Sequence, residues 1–545
     1  MHSDAIAVRR AAMIAAGFWK DRLLLDYFDA LLIRAPQAPA IVAHDVTSAE
    51  RMRLSYAELG DKAASIALGL ARLGVEKGDV VSYQLPNWWQ FVALHLACLR
   101  IGAVTNPIMP ILRRRELEFM LNHARSKIIV TPARWRDFDY AGMIAGMRAA
   151  VPHLKHALVV GGEGEAAFER LHAQPADRWE ADALFAARRP LPDDVIQVLY
   201  TSGTTGEPKG VMHTSNTQIS NLWPYIERLH ITSSDVVFMA SPLAHQTGFM
   251  YGLMMPILLG THVVLQDIWN RKVAADLIKA EQPTFTMAST PFLADLTEEA
   301  EARPAAFKSL RIFLAAGAPI PRVLVRRATE HMGATIASGW GMTENGAVTV
   351  TSPEDSPEKA FETDGRALPG METRIVDAAG MASPAGTEGR LQVRGCSNFV
   401  GYLNRPDLSA VDAEGWFDTG DLARMDADGN VRITGRSKDI IIRGGENVPV
   451  VEIEGLVYKH PAVVDVAIVA MPDERLGERA CAFVTTKPGT SLTLAELTAF
   501  LLAQDISKNY LPEHLEVVEA LPRTASGKIQ KFQLREMAKS MKADG

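Results

Sequence analysis

Ten consecutive residues, Thr201–Gly210 (TSGTTGEPKG), hold three glycines, four hydroxyl side chains and one lysine. Such a string packs poorly into a helix or a strand. It suits a loop whose backbone N–H groups, hydroxyls and ammonium close around phosphates. The spacing Gly203-x-x-Gly206-x-x-Lys209 departs from G-x-x-x-x-G-K-[ST], so a Walker-type loop is not implied. Two other spots carry chemistry of a matching kind. Glu344, in GMTE, offers the oxygen that a hard cation requires, and Lys528, in TASGK, sets a cation in a loop of small residues. Taken one at a time, each has a plainer reading: a Ser/Thr/Gly surface turn, a solvated carboxylate, a solvated lysine.

These residues need a scaffold. The phosphate loop follows the apolar run Val195–Tyr200, which reads as a buried strand. Upstream, amphipathic helices are predicted over Tyr56–Leu73, Trp88–Ile101 and Arg115–His123. Strands are predicted over Val80–Gln84, Val104–Ile108 and Lys127–Val130. That alternation implies a parallel sheet covered by helices. Gly161–Asp194 reads as a surface excursion and Thr351–Pro369, rich in Pro, Glu and Asp, as a loop. Beyond it, short strands Thr373–Asp377, Gly389–Val393 and Val431–Thr434, separated by turns, predict a small antiparallel subdomain. After the charged junction GRSKD the pattern changes. Helix Val451–Lys459, strands Val463–Val469 and Ala480–Thr485, helix Thr493–Ala503 and a last helix Lys531–Met537 predict an α+β lid. The fold class is therefore α/β, with a large N-terminal domain (1–436) and a small C-terminal domain (437–545).

Composition excludes several other classes. A chain of 545 residues exceeds a single core, so two domains are the minimum expectation. Apolar residues make up 48% and charged residues 22%, which argues against disorder or coiled coil. A formal net charge of −7 offers no field for nucleic acid or anionic lipid. Cys98, Cys396 and Cys481 form no CxxC pair, so neither a zinc knuckle nor a disulfide framework is expected. The apolar runs Phe91–Pro110 and Leu253–Leu265 are interrupted by charge, His or Pro and are too short to span a membrane. A cytoplasmic protein is expected.

The string YTSGTTGEPKG resembles the signature of the adenylate-forming enzymes: acyl-CoA synthetases, carrier-protein adenylation domains and firefly-type luciferases. Six further blocks follow in family order between Ala30 and Lys531. They are SPLAHQTGF (Ser241–Phe249), AAGAPIPR (Ala315–Arg322), SGWGMTE (Ser338–Glu344), FDTGDLA (Phe417–Ala423), GRSKDIIIRGGENVPVVEIE (Gly435–Glu454) and LPRTASGKIQK (Leu521–Lys531). The resemblance implies ATP, Mg2+ and coenzyme A as cofactors. It also implies two half-reactions, in which a carboxylate first becomes an acyl-adenylate with loss of pyrophosphate and a thiol then takes the acyl group.

Roles follow by resemblance, position by position. Thr201, Ser202, Gly203, Thr204, Thr205, Gly206 and Lys209 correspond to the clamp on the β- and γ-phosphates. Glu344 corresponds to the magnesium ligand and Thr343 to the donor on the α-phosphate. Gly317, Ala318 and Pro319 would lie against adenine on one face and Trp340 on the other, with Gly339, Gly341 and Met342 completing that strand. Asp421 resembles the carboxylate that accepts from the ribose hydroxyls, with Arg436 as its cationic neighbour. Lys528 resembles the lysine that bridges carboxylate and phosphate during adenylation. Lys438 corresponds to the hinge about which the lid turns, after which Gly444, Gly445 and Glu446 would line the pantetheine tunnel. His245 resembles the residue at the mouth of that tunnel.

The acid is bounded more loosely. The LAHQTGF block carries no acidic residue, which argues against an amino-acid substrate. His245, Phe249, Tyr251, Ala316 and Gly341 are the expected pocket wall. Acetate-restricted relatives place a tryptophan where this sequence has Gly341, so the absent side chain is expected to open the pocket floor. The Trp88–Trp89 region resembles short- and medium-chain acyl-CoA synthetases, especially those for cyclohexanecarboxylate. A medium-chain or alicyclic acid is expected, with an aryl acid or carrier-protein loading as the alternative. Other partners are the small molecules ATP and CoA, and a homodimer is compatible with the sequence.

Overall fold

A computed structural model describes residues 2–201, 208–317, 322–409, 411–437, 439–443, 446–473, 475–504, 506, 508–524 and 527–541. Its N-terminal three quarters are built around two helix-covered sheets. The six-stranded sheet runs, edge to edge, Lys209–Thr214, Val195–Thr201, Val104–Pro107, Val80–Tyr83, Ile128–Pro132, His156–Val160. Every neighbouring pair but the first is parallel. The central strands are buried on both faces, as a sheet sandwiched between helices must be, with Ser82, Thr105, Asn106 and Gln197 among their apolar residues. Between them, the helix Tyr56–Arg72 starts at a reciprocal cap: the Ser55 hydroxyl accepts from Glu58 N–H, and the Glu58 carboxylate accepts from Ser55 N–H.

The nine-stranded sheet has a parallel centre. Strands Val263–Gln266, Val237–Met239, Phe285–Ala288, Ile312–Ala316 and Thr335–Met342 lie side by side, and Gly346–Val350 returns antiparallel beside the last. One continuous core joins the two sheets, from Phe28, Tyr83 and Phe91 through Tyr225 and Phe249 to Leu314. The antiparallel subdomain comprises Met371–Val376, Gly389–Gly395, Phe417–Met425 and Val431–Arg436. Beyond it, two separate clusters, one around Ile453, Val466 and Leu497 and one around Met471, Phe483 and Leu534, are drawn only from residues 441–541. The C-terminal segment thus owns its core.

Element boundaries fall within a few residues of those expected, and two segments depart from expectation. Gly161–Asp194 is not only a surface excursion. Its turns Gly164–Ala166 and Phe168–His172 precede a helix Arg178–Arg188, and Phe168 is fully buried in the main core. Thr351–Pro369 is not all loop: a helical turn Lys359–Glu362 buries Ala360 and Phe361, and Arg366–Ala367 pairs on the edge of the large sheet. In both, a few apolar anchors sit among polar residues and carry no periodic pattern. The three cysteines are free and buried, and among the described residues no helix is long and apolar enough to cross a membrane.

Candidate functional site

The carboxyl ends of Ile312–Ala316 and Thr335–Met342 lie in register, Ala316 opposite Gly339. Ligands of open α/β sheets bind at such strand ends. There the backbone turns: Met342 accepts from Asn345 N–H, and Gly346, at φ +65°, starts the return strand. Glu344 occupies this turn and is buried. The Tyr402 hydroxyl donates to Glu344 Oε1 at 2.6 Å, and Phe399 N–H donates to the Glu344 carbonyl at 2.7 Å. Burial raises the Glu344 pKa; the Tyr402 hydrogen bond opposes it, as do the cations Lys209 and Arg436 nearby. Thr343 is fixed through its carbonyl, which accepts from His213 Nε2–H at 2.7 Å.

The phosphate string is flanked by a strand pair. Strands Val195–Thr201 and Lys209–Thr214 are antiparallel with Thr201 opposite Lys209, so the lysine stands at the base of the loop on a paired strand. Its ammonium lies 4.8 Å above the Tyr402 ring. Ser202, Gly203, Thr204, Thr205 and Gly206 lie outside the described residues, as do Ala318, Pro319, Lys438, Gly444 and Gly445. Glu446 begins the strand Glu446–Val448, whose partner Ile441–Arg443 sets Arg443 opposite it.

Asp421 and Arg436 are opposed across a strand pair, which carries the arginine Nε to 2.9 Å from Asp421 Oδ1. The other carboxylate oxygen accepts from Trp340 Nε1 at 3.0 Å. Trp340 therefore has an edge committed to Asp421, besides any role for its face. Burial raises the Asp421 pKa; Arg436, Trp340 and Lys528 act against it.

From the C-terminal segment, Lys528 arrives in a closed turn: Thr524 N–H donates to its carbonyl, and Lys528 N–H to the Thr524 hydroxyl. Gly527, at φ +84°, sits so close to Ser289 that a Cβ would stand 2.8 Å from its Oγ. The lysine side chain crosses Gly317, itself at φ +90°. Burial first, and then Arg436, lower its pKa, while Asp421 and Glu344 raise it. Behind this turn Arg535 pairs with Asp439, next to the expected hinge.

His245 caps the turn Gln246–Gly248, its Nδ1 accepting from Thr247 N–H at 3.2 Å. Burial, with the nearby Lys528 charge, pushes its pKa down to about 3, so it is neutral near pH 7. The following residues Phe249–Met254 form a π-helical segment, a geometry frequent at functional sites. Phe249 packs edge-on against His95, and Tyr251 gives its hydroxyl to Asn221 Oδ1 while accepting from Ala347 N–H.

Gly341 departs from expectation. A Cβ there would lie 1.9 Å from the Gly346 carbonyl oxygen and 2.8 Å from Ala347 Cα. The register shift between Trp340 and Gly341 presses the two strands together at this point. A side chain at this position would meet the backbone of the return strand first.

Two contacts around the candidate site were not expected from sequence. Tyr402 has no flag in spacing or composition. Arg9, from the helix His2–Ala15, donates to the carbonyls of Gly395, Cys396, Asn398 and Phe399, and burial lowers its pKa to about 10. Only the convergence of carbonyls in the folded loop reveals it.

Among the described residues no group of three or more His, Cys, Asp or Glu could hold a metal ion. A lone buried carboxylate beside a lysine fits Mg2+ that arrives on phosphates, since Mg2+ rarely uses an all-protein cage.

Comparison with known proteins agrees with this geometry. The family of AMP-binding enzymes matches residues 30–403, and the AMP-binding enzyme C-terminal domain matches residues 452–528. The chain is 39% identical to the medium-chain fatty-acid–CoA ligase of Escherichia coli (strain K12), over 97% of this chain and 92% of that protein. It is 35% identical to the salicylyl-CoA synthase / salicylate adenylyltransferase of a Streptomyces species, over 97% and 96%. ATP-bound MatB from Rhodopseudomonas palustris superposes with a TM-score of 0.84 at 27% identity, covering 95% of this chain and 99% of that one. The chain belongs to the AMP-binding enzyme family, within its ATP-dependent, adenylate-forming acyl-CoA synthetases.

Proposed function

We propose that this synthetase activates a medium-chain or alicyclic carboxylic acid, of the size of cyclohexanecarboxylate, in the cytoplasm. The single observation behind the catalytic reading is the arrival of Lys528 from the C-terminal segment over Gly317, beside Asp421 and Glu344. Support for the acid comes from the medium-chain ligase relative, together with a wall of buried Phe249 and Tyr251 whose one polar end is already engaged.

In this reading Asp421, held by Arg436 and Trp340, receives the ribose. Lys209 meets the terminal phosphates, and Lys528 lies between the acid's carboxylate and the α-phosphate. Glu344 would hold Mg2+, which would neutralise phosphate charge when bound. A carboxylate oxygen bonds to the α-phosphorus as the bond to the bridging oxygen breaks and pyrophosphate leaves; the fixed cations favour this charge movement. The lid then turns about Lys438, bringing Gly444, Gly445 and Glu446 to the pantetheine arm, and the CoA sulfur displaces AMP from the acyl carbon. His245, neutral, lines the entry without acting as a base.

The salicylate relative favours a second reading, an aryl acid. Acid-dependent pyrophosphate exchange and CoA-thioester formation over C2–C12 linear acids, cyclohexanecarboxylate, benzoate and salicylate separate the two. Highest kcat/KM for C6–C10 or the alicyclic ring supports the proposal, and a preference for benzoate or salicylate replaces it.

A further inference from the structure

We propose that Tyr402 is a positioning residue, a rigid bracket that holds the carboxylate of Glu344 and the ammonium of Lys209 in one fixed arrangement for a metal-chelated triphosphate. The inference rests on the adenylating reading above and goes beyond it, because it assigns a role to a residue outside the family blocks.

The bracket has three attachments. Tyr402 is 4% exposed and its backbone bridges antiparallel to Val211, two residues beyond Lys209. On either side of that bridge Met212 N–H donates to the Gly401 carbonyl at 3.1 Å and Leu403 N–H to the Gly210 carbonyl at 2.8 Å. The segment 400–403 is thus hydrogen-bonded along the edge strand that carries the lysine. Second, the aromatic face lies 4.8 Å beneath the Lys209 ammonium, a cation–π distance. Third, the hydroxyl reaches Glu344 Oε1 at 2.6 Å while Phe399, three residues earlier, bonds the Glu344 backbone. The Tyr402 ring is itself wedged edge-on against Phe399, with centroids 4.8 Å apart.

Side chains that orient a metal's ligands tune its affinity, and such partners typically account for 10–100-fold. Here the phenol engages one of the two carboxylate oxygens and fixes the plane of the group. A bare aromatic ring in its place leaves a buried carboxylate free to rotate but keeps the lysine seated. The structure therefore separates two contributions that a scaffolding residue would lose together.

The test is calorimetric titration of ATP into the full chain and into Tyr402→Phe, with Mg2+ and again with EDTA. Expected is a loss of roughly tenfold or more in affinity for MgATP, with metal-free ATP within about twofold of the parental value. The thermal midpoint should be nearly unchanged. Adding Tyr402→Phe to Glu344→Gln should then cost nothing further for MgATP. Equal weakening of both forms of ATP, or no weakening of MgATP, overturns the bracket. Should the phenylalanine variant fail to fold, Tyr402→Met in its place should weaken both forms of ATP, MgATP more; equal loss overturns the bracket here too. A parental chain that binds ATP equally with and without Mg2+, and exchanges no pyrophosphate, overturns the adenylating reading and the bracket with it.

Discussion

A methyl group added to Gly317 would stand 2.9 Å from Cε of Lys528. These residues are more than two hundred positions apart, one at the end of a strand in the large sheet and the other in the C-terminal segment. Their contact brings a lysine of the C-terminal segment onto the strand ends where Asp421 and Glu344 also gather.

Lys528→Ala should lose adenylation by about 10²-fold or more, the scale of removing one preorganised charge-stabilising donor, while thioester formation from a supplied acyl-adenylate persists. Gly317→Ala should act similarly, through crowding and an unfavourable φ of +90°. Single-turnover assays of the two half-reactions check both variants; equal loss of both steps refutes the assignment of Lys528.

Trp340→Phe keeps an aromatic face but removes the N–H on Asp421. A hydrogen bond to a charged group contributes ~1.5–3 kcal/mol. The KM for ATP should rise on the order of tenfold, with those for acid and CoA little changed. Initial rates over the three substrates decide it, and an unmoved ATP KM shows that Arg436 alone holds the carboxylate.

Gly341→Ala and Gly341→Trp should impair acetate, hexanoate and cyclohexanecarboxylate alike. The added carbon meets the backbone of Gly346 and Ala347, and overpacking of this kind costs ~1–3 kcal/mol. Thermal midpoints should fall together with kcat/KM. Selective loss of the larger acids alone restores the open-floor reading that the strand geometry argues against.

Acidification should destabilise the chain through buried neutral imidazoles. Burial lowers His95 to about 3 and His213 to about 4, against 6.5 when exposed. Below pH ~6.5 the unfolded chain binds protons that the folded chain refuses, so stability falls as pH drops through the window from 6.5 to those values. Each histidine contributes up to ~1.4 kcal/mol per pH unit. His95, whose two ring nitrogens have no hydrogen-bond partner, can be replaced by Leu to flatten the fall between pH 6.5 and 5 by one proton's worth. Chemical denaturation at several pH values measures the slope; an unchanged slope in His95→Leu refutes its neutral state.

Much of this architecture is legible from residue pattern because its elements are long and regular: Tyr56–Arg72 shows its apolar stripe in the sequence alone. Asp421 and Arg436 were expected as neighbours, and strand register is what makes them so. Phe168 and Phe361 were missed because one or two apolar anchors in polar surroundings leave no periodicity. Gly341 shows a different limit of the sequence. A glycine shows that a side chain is missing, and only the neighbouring backbone shows which way that side chain would have pointed.

The four carbonyls gathered by Arg9 tie the opening helix to the candidate site. They belong to the loop that fastens Glu344 through Phe399. Cutting the chain just after this helix, or pulling on it with a bulky fusion partner, would withdraw the guanidinium and leave those oxygens facing one another. Harm done at one terminus would then surface as weakened nucleotide handling, so a tag is better placed elsewhere.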